Sequence, residues 1–296
     1  MQSAAGPSAL GKATGFVPKW KREGLSTICK QSNAREAQLF EAIAEDAYLS
    51  KHVPMINSVT KVATDRDSVA AGNVSFRAAA PADAPAAEPG DEMFEVRMQD
   101  LAAGMTRPCA MSILMGTRTI VPGSDTQEHL EALDHATSTA SLGFRIDAAR
   151  TVVGDALDTL PLPDGVSSLN DLKEEASVVS ALETFFQADT SVCKAALLLL
   201  EEMSRALERS AFFAKHVLLR SSLLLVYDDA ARTHVHFRMI NFGFSYALPE
   251  GAPPLTHADK WDGKPESHED GYLTGVRSLT RLMRALEREL EIRDLN

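Results

Sequence analysis

Ser221-Ser222-Leu223-Leu224-Leu225-Val226-Tyr227 is apolar on both alternating faces, so a strand built from it has to be covered on both sides. Asp228 to Thr233 then has turn composition, and His234 to Phe242 resumes a strand pattern, so the two runs read as a hairpin. A lone hairpin is marginal in water, which places this one inside a larger sheet. Cys109 to Met115 reads as a further buried strand that could belong to that sheet. With 296 residues, 45% of them hydrophobic, the chain has enough apolar material for one large domain or two lobes.

The remaining pattern divides the chain. Asn33 to Ala47 carries Leu39, Phe40 and Ile43 at helical spacing, whereas Ser58 to Ala63, Asn73 to Arg77 and Met93 to Leu101 read as strands. Between the last two lies Ala78 to Asp91, AAAPADAPAAEPGD, with the proline, alanine and acid content of a flexible surface insertion. These segments predict a small N-terminal lobe of mixed sheet and one helix, residues 1–104. The larger lobe, 105–296, is expected to hold helices over Ala181 to Phe186 and Val192 to Leu207. Its last helix would bury Leu273, Val276, Leu279, Leu282 and Leu286, with Asp270-Gly271 at its start.

Composition narrows the function classes. Thirty basic against 41 acidic residues give a net charge of -11, which disfavours a nucleic-acid surface but permits a local basic pocket. Cys29, Cys109 and Cys193 are too scattered for a disulfide framework or a clustered zinc site, so a reducing, intracellular setting in cytoplasm or nucleus is expected. No signal-like stretch or apolar run of membrane-spanning length is present, and membrane insertion is not expected. His234 and His236 share a strand face but lack a third ligand nearby in sequence, and His268-Glu269-Asp270 reads as an acidic helix cap.

Four ordered stretches carry a resemblance. They are Pro108-Cys109-Ala110-Met111-Ser112-Ile113-Leu114-Met115-Gly116-Thr117-Arg118-Thr119; Ser138 to Ile146, ending Leu-Gly-Phe-Arg-Ile; Ser221 to Tyr227; and Met239-Ile240-Asn241-Phe242-Gly243 with Asp270-Gly271-Tyr272-Leu273 after it. The set resembles the inositol polyphosphate kinase family, most closely its inositol trisphosphate 3-kinase branch. Ile28-Cys29-Lys30 with Glu36, and Gln99-Asp100-Leu101, extend the resemblance over nearly the whole chain. It implies an α+β, two-lobed fold related to the protein kinases and ATP-grasp enzymes. It also implies ATP and Mg²⁺ in the cleft and an inositol phosphate against the larger lobe.

The same resemblance exposes departures. The family signature Pro-x-x-x-Asp-x-Lys-x-Gly keeps Pro108 and Gly116 here, but Ser112 stands at the catalytic Asp position and Leu114 at the phosphate-binding Lys position. Asn241 replaces the metal-binding Asp, and an amide lacks the anionic oxygen that Mg²⁺ prefers. Lys30 corresponds to the small-lobe phosphate contact, and Gln99, Asp100 and Leu101 to the link that meets adenine. Arg118 and Arg145 remain as substrate-binding candidates, while Ile120 through Phe144 contains no Lys or Arg. The family's helical substrate-binding insertion has room here only in a short form. The expected function is therefore a kinase-like protein with impaired or absent activity, acting in binding or regulation of a nucleotide, an inositol phosphate or a protein partner. One alternative is an active kinase in which Asp270 or a neighbouring acid replaces the missing ligand. The other is an interaction protein without nucleotide binding.

Overall fold

The computed structural model describes residues 20–62, 92–121, 126–232, 234–264 and 266–296. The expected strand at Asn73 to Arg77 and the Pro-rich segment Ala78 to Asp91 lie outside these residues.

In chain order the small lobe comprises β1 (Trp20–Glu23), β2 (Thr27–Asn33), α1 (Ala34–Glu45), β3 (Ile56–Lys61) and β4 (Met93–Gln99). Its strands form one sheet in the order β1-β2-β4-β3, and every pairing is antiparallel rather than mixed. The α1 helix starts where Asn33 accepts a hydrogen bond from the Glu36 N–H at 2.8 Å, satisfying one otherwise unpaired amide of the first turn. Leu39, Phe40 and Ile43 are buried as the spacing requires, together with Ile28, Val96 and Met98 of the sheet.

The larger lobe opens with β5 (Pro108–Met115), α2 (Gln127–Ala136), the one-turn α3 (Thr139–Leu142), β6 (Phe144–Val153) and β7 (Ala156–Thr159). Helices α4 (Glu175–Phe186) and α5 (Thr190–Leu207) follow, then β8 (His216–Val217), β9 (Ser222–Asp228), β10 (Val235–Ile240), β11 (Tyr246–Ala247) and α6 (Tyr272–Asp294). The main sheet runs β10-β9-β5-β6-β7, which confirms the hairpin and puts the two fully apolar strands beside each other at its centre. Short β8 and β11 pair separately. Cys109, Met111 and Ile113 alternate with Ala110, Ser112 and Leu114 along β5, and all six are buried. On the Cys109 side the sheet meets the helices: Phe185 of α4 packs edge-on against Tyr227 with ring centroids 5.4 Å apart, and the Tyr227 hydroxyl donates to the Phe185 carbonyl at 2.6 Å.

Helix α4 begins at Glu175 rather than Ala181, with Val178 extending the buried spacing of Ala181, Leu182 and Phe185, and α5 begins at Thr190 rather than Val192 because Thr190 and Ser191 are polar. The α2 helix was visible in the sequence only as room for a short helical insertion; at ten residues it is that short. All three cysteines are buried and unpaired. No helix among the described residues is long and apolar enough to cross a membrane.

Candidate functional site

Lys30 projects from β2 toward the larger lobe, and its ammonium donates to Glu36 Oε1 at 2.5 Å and to Asn241 Oδ1 at 3.1 Å. Glu36 Oε1 also accepts from the Phe242 N–H at 3.0 Å, and Asn33 Nδ2 donates to the Gly243 carbonyl at 3.4 Å. Phe40 and Phe242 meet edge to face at 5.2 Å behind these bonds. The first turn of α1 is thus tied to the end of β10 by polar and aromatic contacts together. Asn241 sits at φ +62°, a left-handed conformation that Asn adopts more readily than most side chains.

Ser112 and Leu114 lie on the opposite face of β5 from the helices. Their cross-strand partners are Leu224 and Ala148 for Ser112, and Ser222 and Arg145 for Leu114. Both are nearly inaccessible. The β5–β6 register shifts between Ser112 and Ile113, and the extra residue on β6 is Asp147. Asp147 is exposed, yet enough protein surrounds it that desolvation pushes its carboxyl above the usual range, with Arg145 pulling the other way. The sequence offered no signal for it, because a bulge is set by the pairing partner.

At the link between lobes, Asp100 is buried and bound to Arg22 through two guanidinium contacts, one at 2.7 Å from Nε. Its other oxygen accepts from the Ala102 N–H at 3.0 Å. Gln99 ends β4, its N–H donating to the Met55 carbonyl at 2.9 Å. Leu101 is buried, and among the described residues neither its N–H nor its carbonyl is hydrogen-bonded.

Arg118 and Asp270 gather elsewhere, around the start of α6, and Arg145 lies beside Asp134 and Thr139. The Arg118 guanidinium donates to the carbonyls of Glu269 at 2.8 Å, Ile120 at 2.6 Å and His268 at 3.4 Å, and lies over the Trp261 ring at 4.5 Å. Burial pulls its pKa down, and the negative groups around it pull the other way. Arg145 donates to Thr139 Oγ1 at 3.0 Å and approaches Asp134 at 3.4 Å, and Asp134 also accepts from the Thr119 N–H and hydroxyl at 2.6 and 2.8 Å. Both arginines are thereby anchored to protein groups, and neither guanidinium joins Lys30 and Asn241.

Asp270 is 0% exposed and fully engaged. Oδ2 accepts from the Leu218 N–H at 2.8 Å, and Oδ1 accepts from the Tyr272 N–H at 2.9 Å while lying 2.8 Å from His257 Nδ1. His257 Nε2 faces the Phe213 carbonyl at 2.7 Å. With the carboxylate ionised, both ring nitrogens face acceptors, so the imidazole carries both protons. Its carbonyl in turn accepts from the Leu273 and Thr274 N–H groups, capping α6. Sequence reasoning missed His257 because its partner is 13 residues away across a loop.

Burial alone would lower the His257 pKa, but Asp270 and the Phe213 carbonyl outweigh it and raise the value above 6.5. The folded state therefore holds this proton more tightly than the unfolded chain. The resulting stabilisation is complete below about pH 6.5 and fades as pH rises through the raised value. Urea unfolding of wild type should show stability falling as pH rises above about 6.5. His257→Gln should be less stable and should flatten that dependence. A parallel slope in the variant would show that His257 does not carry the proton.

The sequence profile described as inositol polyphosphate kinase matches residues 95–284. Human inositol-trisphosphate 3-kinase C is 31% identical over 229 residues, covering 64% of this chain and 31% of that protein. Rat inositol-trisphosphate 3-kinase A is 26% identical over 224 residues, covering 64% of this chain and 46% of its own length. The chain thus spans less than half the length of these relatives. Among solved structures, an inositol phosphate multikinase from S. cerevisiae, crystallised with ADP and Mn²⁺, superposes with a TM-score of 0.55. It is 16% identical and covers 87% of this chain and 98% of its own, a likeness of fold.

Proposed function

This chain belongs to the inositol polyphosphate kinase family, and we propose that it is a member adapted to bind and regulate rather than to transfer phosphate. The carrying observation is the Lys30–Asn241 contact. Where phosphoryl transfer needs a cation-binding carboxylate, this chain has a neutral amide whose oxygen already accepts from an ammonium group 3.1 Å away. Among the described residues no three His, Cys, Asp or Glu side chains cluster as a metal set. A divalent cation on Asn241 Oδ1 would sit beside the Lys30 ammonium, and the adjacent carboxylate, Glu36, is already engaged by Lys30 and by the Phe242 N–H, so this donor set suits Mg²⁺ poorly.

Nucleotide binding fits the chain better than metal-assisted chemistry does. The unbonded Leu101 N–H and carbonyl suit the edge of a base, and Lys30 can turn from Asn241 toward a phosphate while Glu36 keeps it oriented. The tests of transfer and of metal binding are separate. Wild type incubated with radiolabelled ATP and inositol trisphosphate, in Mg²⁺ and in Mn²⁺, should give no repeated turnover. The triple variant Ser112→Asp, Leu114→Lys, Asn241→Asp should bind ATP with Mg²⁺ more tightly in calorimetry than the variant lacking the third change. Equal affinities would remove Asn241 from the metal position. Labelled product that persists through purification and disappears in Asn241→Ala would overturn the inactive reading.

One observation favours the active alternative. Asp147 is the exposed extra residue of the β5–β6 bulge next to Ser112's pairing partner Ala148, with a carboxyl raised by desolvation, the direction that favours a proton acceptor. Asp270 does not serve that reading, because both its oxygens are held inside the protein. Turnover lost in Asp147→Asn would identify this acid as the replacement.

A further inference from the structure

A cavity of about 420 Å³ opens where the end of β4, the loop before β3 and the face of β10 meet. Val53, Pro54, Met55, Ile56, Gln99 and Arg238 line it. It flanks the C-terminal end of α1, reached through Ala44, whereas Lys30 and Asn241 meet the first turn of that helix. It shares Gln99 with the inter-lobe link but lies apart from the Lys30–Asn241 contact.

The lining has two characters. Val53, Pro54, Met55 and Ile56 form an apolar wall, with Met55 64% exposed at its rim. Arg238 faces that wall with a half-buried guanidinium whose one hydrogen bond among the described residues, at 3.0 Å, runs to the carbonyl of its own neighbour Phe237. Burial lowers its pKa, and Glu202 is the acidic group that acts against this. Glu202 is already paired with Lys51, which also lines the cavity. His52 and His236 lie close by, but burial lowers both pKa values, that of His52 to about 4, so neither supplies charge near neutrality. The Gln99 amide makes no hydrogen bond among the described residues.

A guanidinium that has left water carries a desolvation cost unless an anion meets it, and its planar fork suits phosphate or carboxylate. Ligand pockets commonly combine such a polar anchor with an apolar wall at the junction of two lobes. We propose that this cavity binds a small organic anion, whose phosphate or carboxylate pairs with Arg238 and whose apolar body lies against Val53 to Ile56. Gln99 adds a hydrogen bond. Because the cavity is built from both lobes, its occupant stabilises their relative position.

The probes are phenyl phosphate and benzoate, with benzyl alcohol and inorganic phosphate as the uncharged and apolar-free controls. In full-length protein labelled at methionine methyl groups, at least one aromatic anion should shift the Met55 resonance saturably at millimolar concentration or below. The two anions differ in headgroup, so whichever binds more tightly identifies the preferred chemistry. Both controls should bind at least about tenfold more weakly, a difference of about 1.4 kcal/mol. Arg238→Gln should weaken the anion about tenfold. Should that variant misfold, Met55→Asp, at an exposed position, should abolish binding by calorimetry while leaving ATP affinity unchanged. An unmoved Met55 methyl up to about 10 mM, undiminished binding in the charge variants, or equal binding of benzyl alcohol overturns the proposal.

Discussion

Asp270→Ala will lower the unfolding free energy by about 3–5 kcal/mol, the range seen when one partner of a buried ion pair is removed. The carboxylate is fully buried and serves three donors from three segments. Leu218 follows β8, Tyr272 opens α6, and His257 lies in the loop between β11 and α6. Removing it leaves two buried amides without an acceptor and strands a protonated imidazole whose other nitrogen still donates to the Phe213 carbonyl. The imidazole can lose its proton, which limits the damage; the amides have no such escape. Equilibrium urea unfolding should show a lower midpoint with an unchanged slope. In Asp270→Ala combined with His257→Ala the two losses should be less than additive, because the second change removes the charge that the first leaves unpaired. A loss under about 1 kcal/mol in the single variant would show that water replaces the carboxylate. Activity alone would not separate a structural role from a catalytic one; stability does.

This node also marks the boundary of what the sequence disclosed. The hairpin of β9 and β10 and the buried β5 were legible because their apolar runs leave no other way to cover both faces. So was α1, through the spacing of Leu39, Phe40 and Ile43. Lys30, Glu36 and Asn241 emerged only through the family resemblance, and the structure does bring them together across 211 positions of sequence. What periodicity could not disclose was which polar groups spend their hydrogen bonds inside the protein. Arg118 and Arg145 stand in sequence as cations near a substrate motif, yet three carbonyls hold one, and Thr139 and Asp134 hold the other. A charge in a sequence is a potential partner, and only packing assigns it. Asp147 was hidden for a related reason: its exposure depends on a slip of register between two strands, and no single strand records its register.

Gly275→Ala should destabilise the fold by about 3 kcal/mol or more, comparable with the larger core defects, even though alanine is the better helix former. Gly275 lies in the second turn of α6, where the helix crosses the end of α3, and a methyl carbon there would come within 2.0 Å of the Gly143 carbonyl oxygen and 2.8 Å of its carbon. The contact is reciprocal, since a Cβ on Gly143 would meet the Gly275 nitrogen at 2.5 Å. Neither obstacle is a side chain that can rotate away. The Gly143 backbone is further fixed by its left-handed φ of +74° and by the Gly116 N–H, which donates to its carbonyl at 2.8 Å. The helix would have to move off the sheet, loosening Tyr272, Val276 and Leu279, all fully buried in the core. Helix propensity alone would instead favour alanine by about 1 kcal/mol, so the two effects have opposite signs and a single unfolding curve distinguishes them. Gly251→Ala is the control: its φ is +82° but nothing lies within 4 Å of an added Cβ, so only the cost of a left-handed alanine, about 1–2 kcal/mol, should appear. A Gly275→Ala protein as stable as wild type, or more so, would show that α6 and the turn before β6 are not held at this close approach.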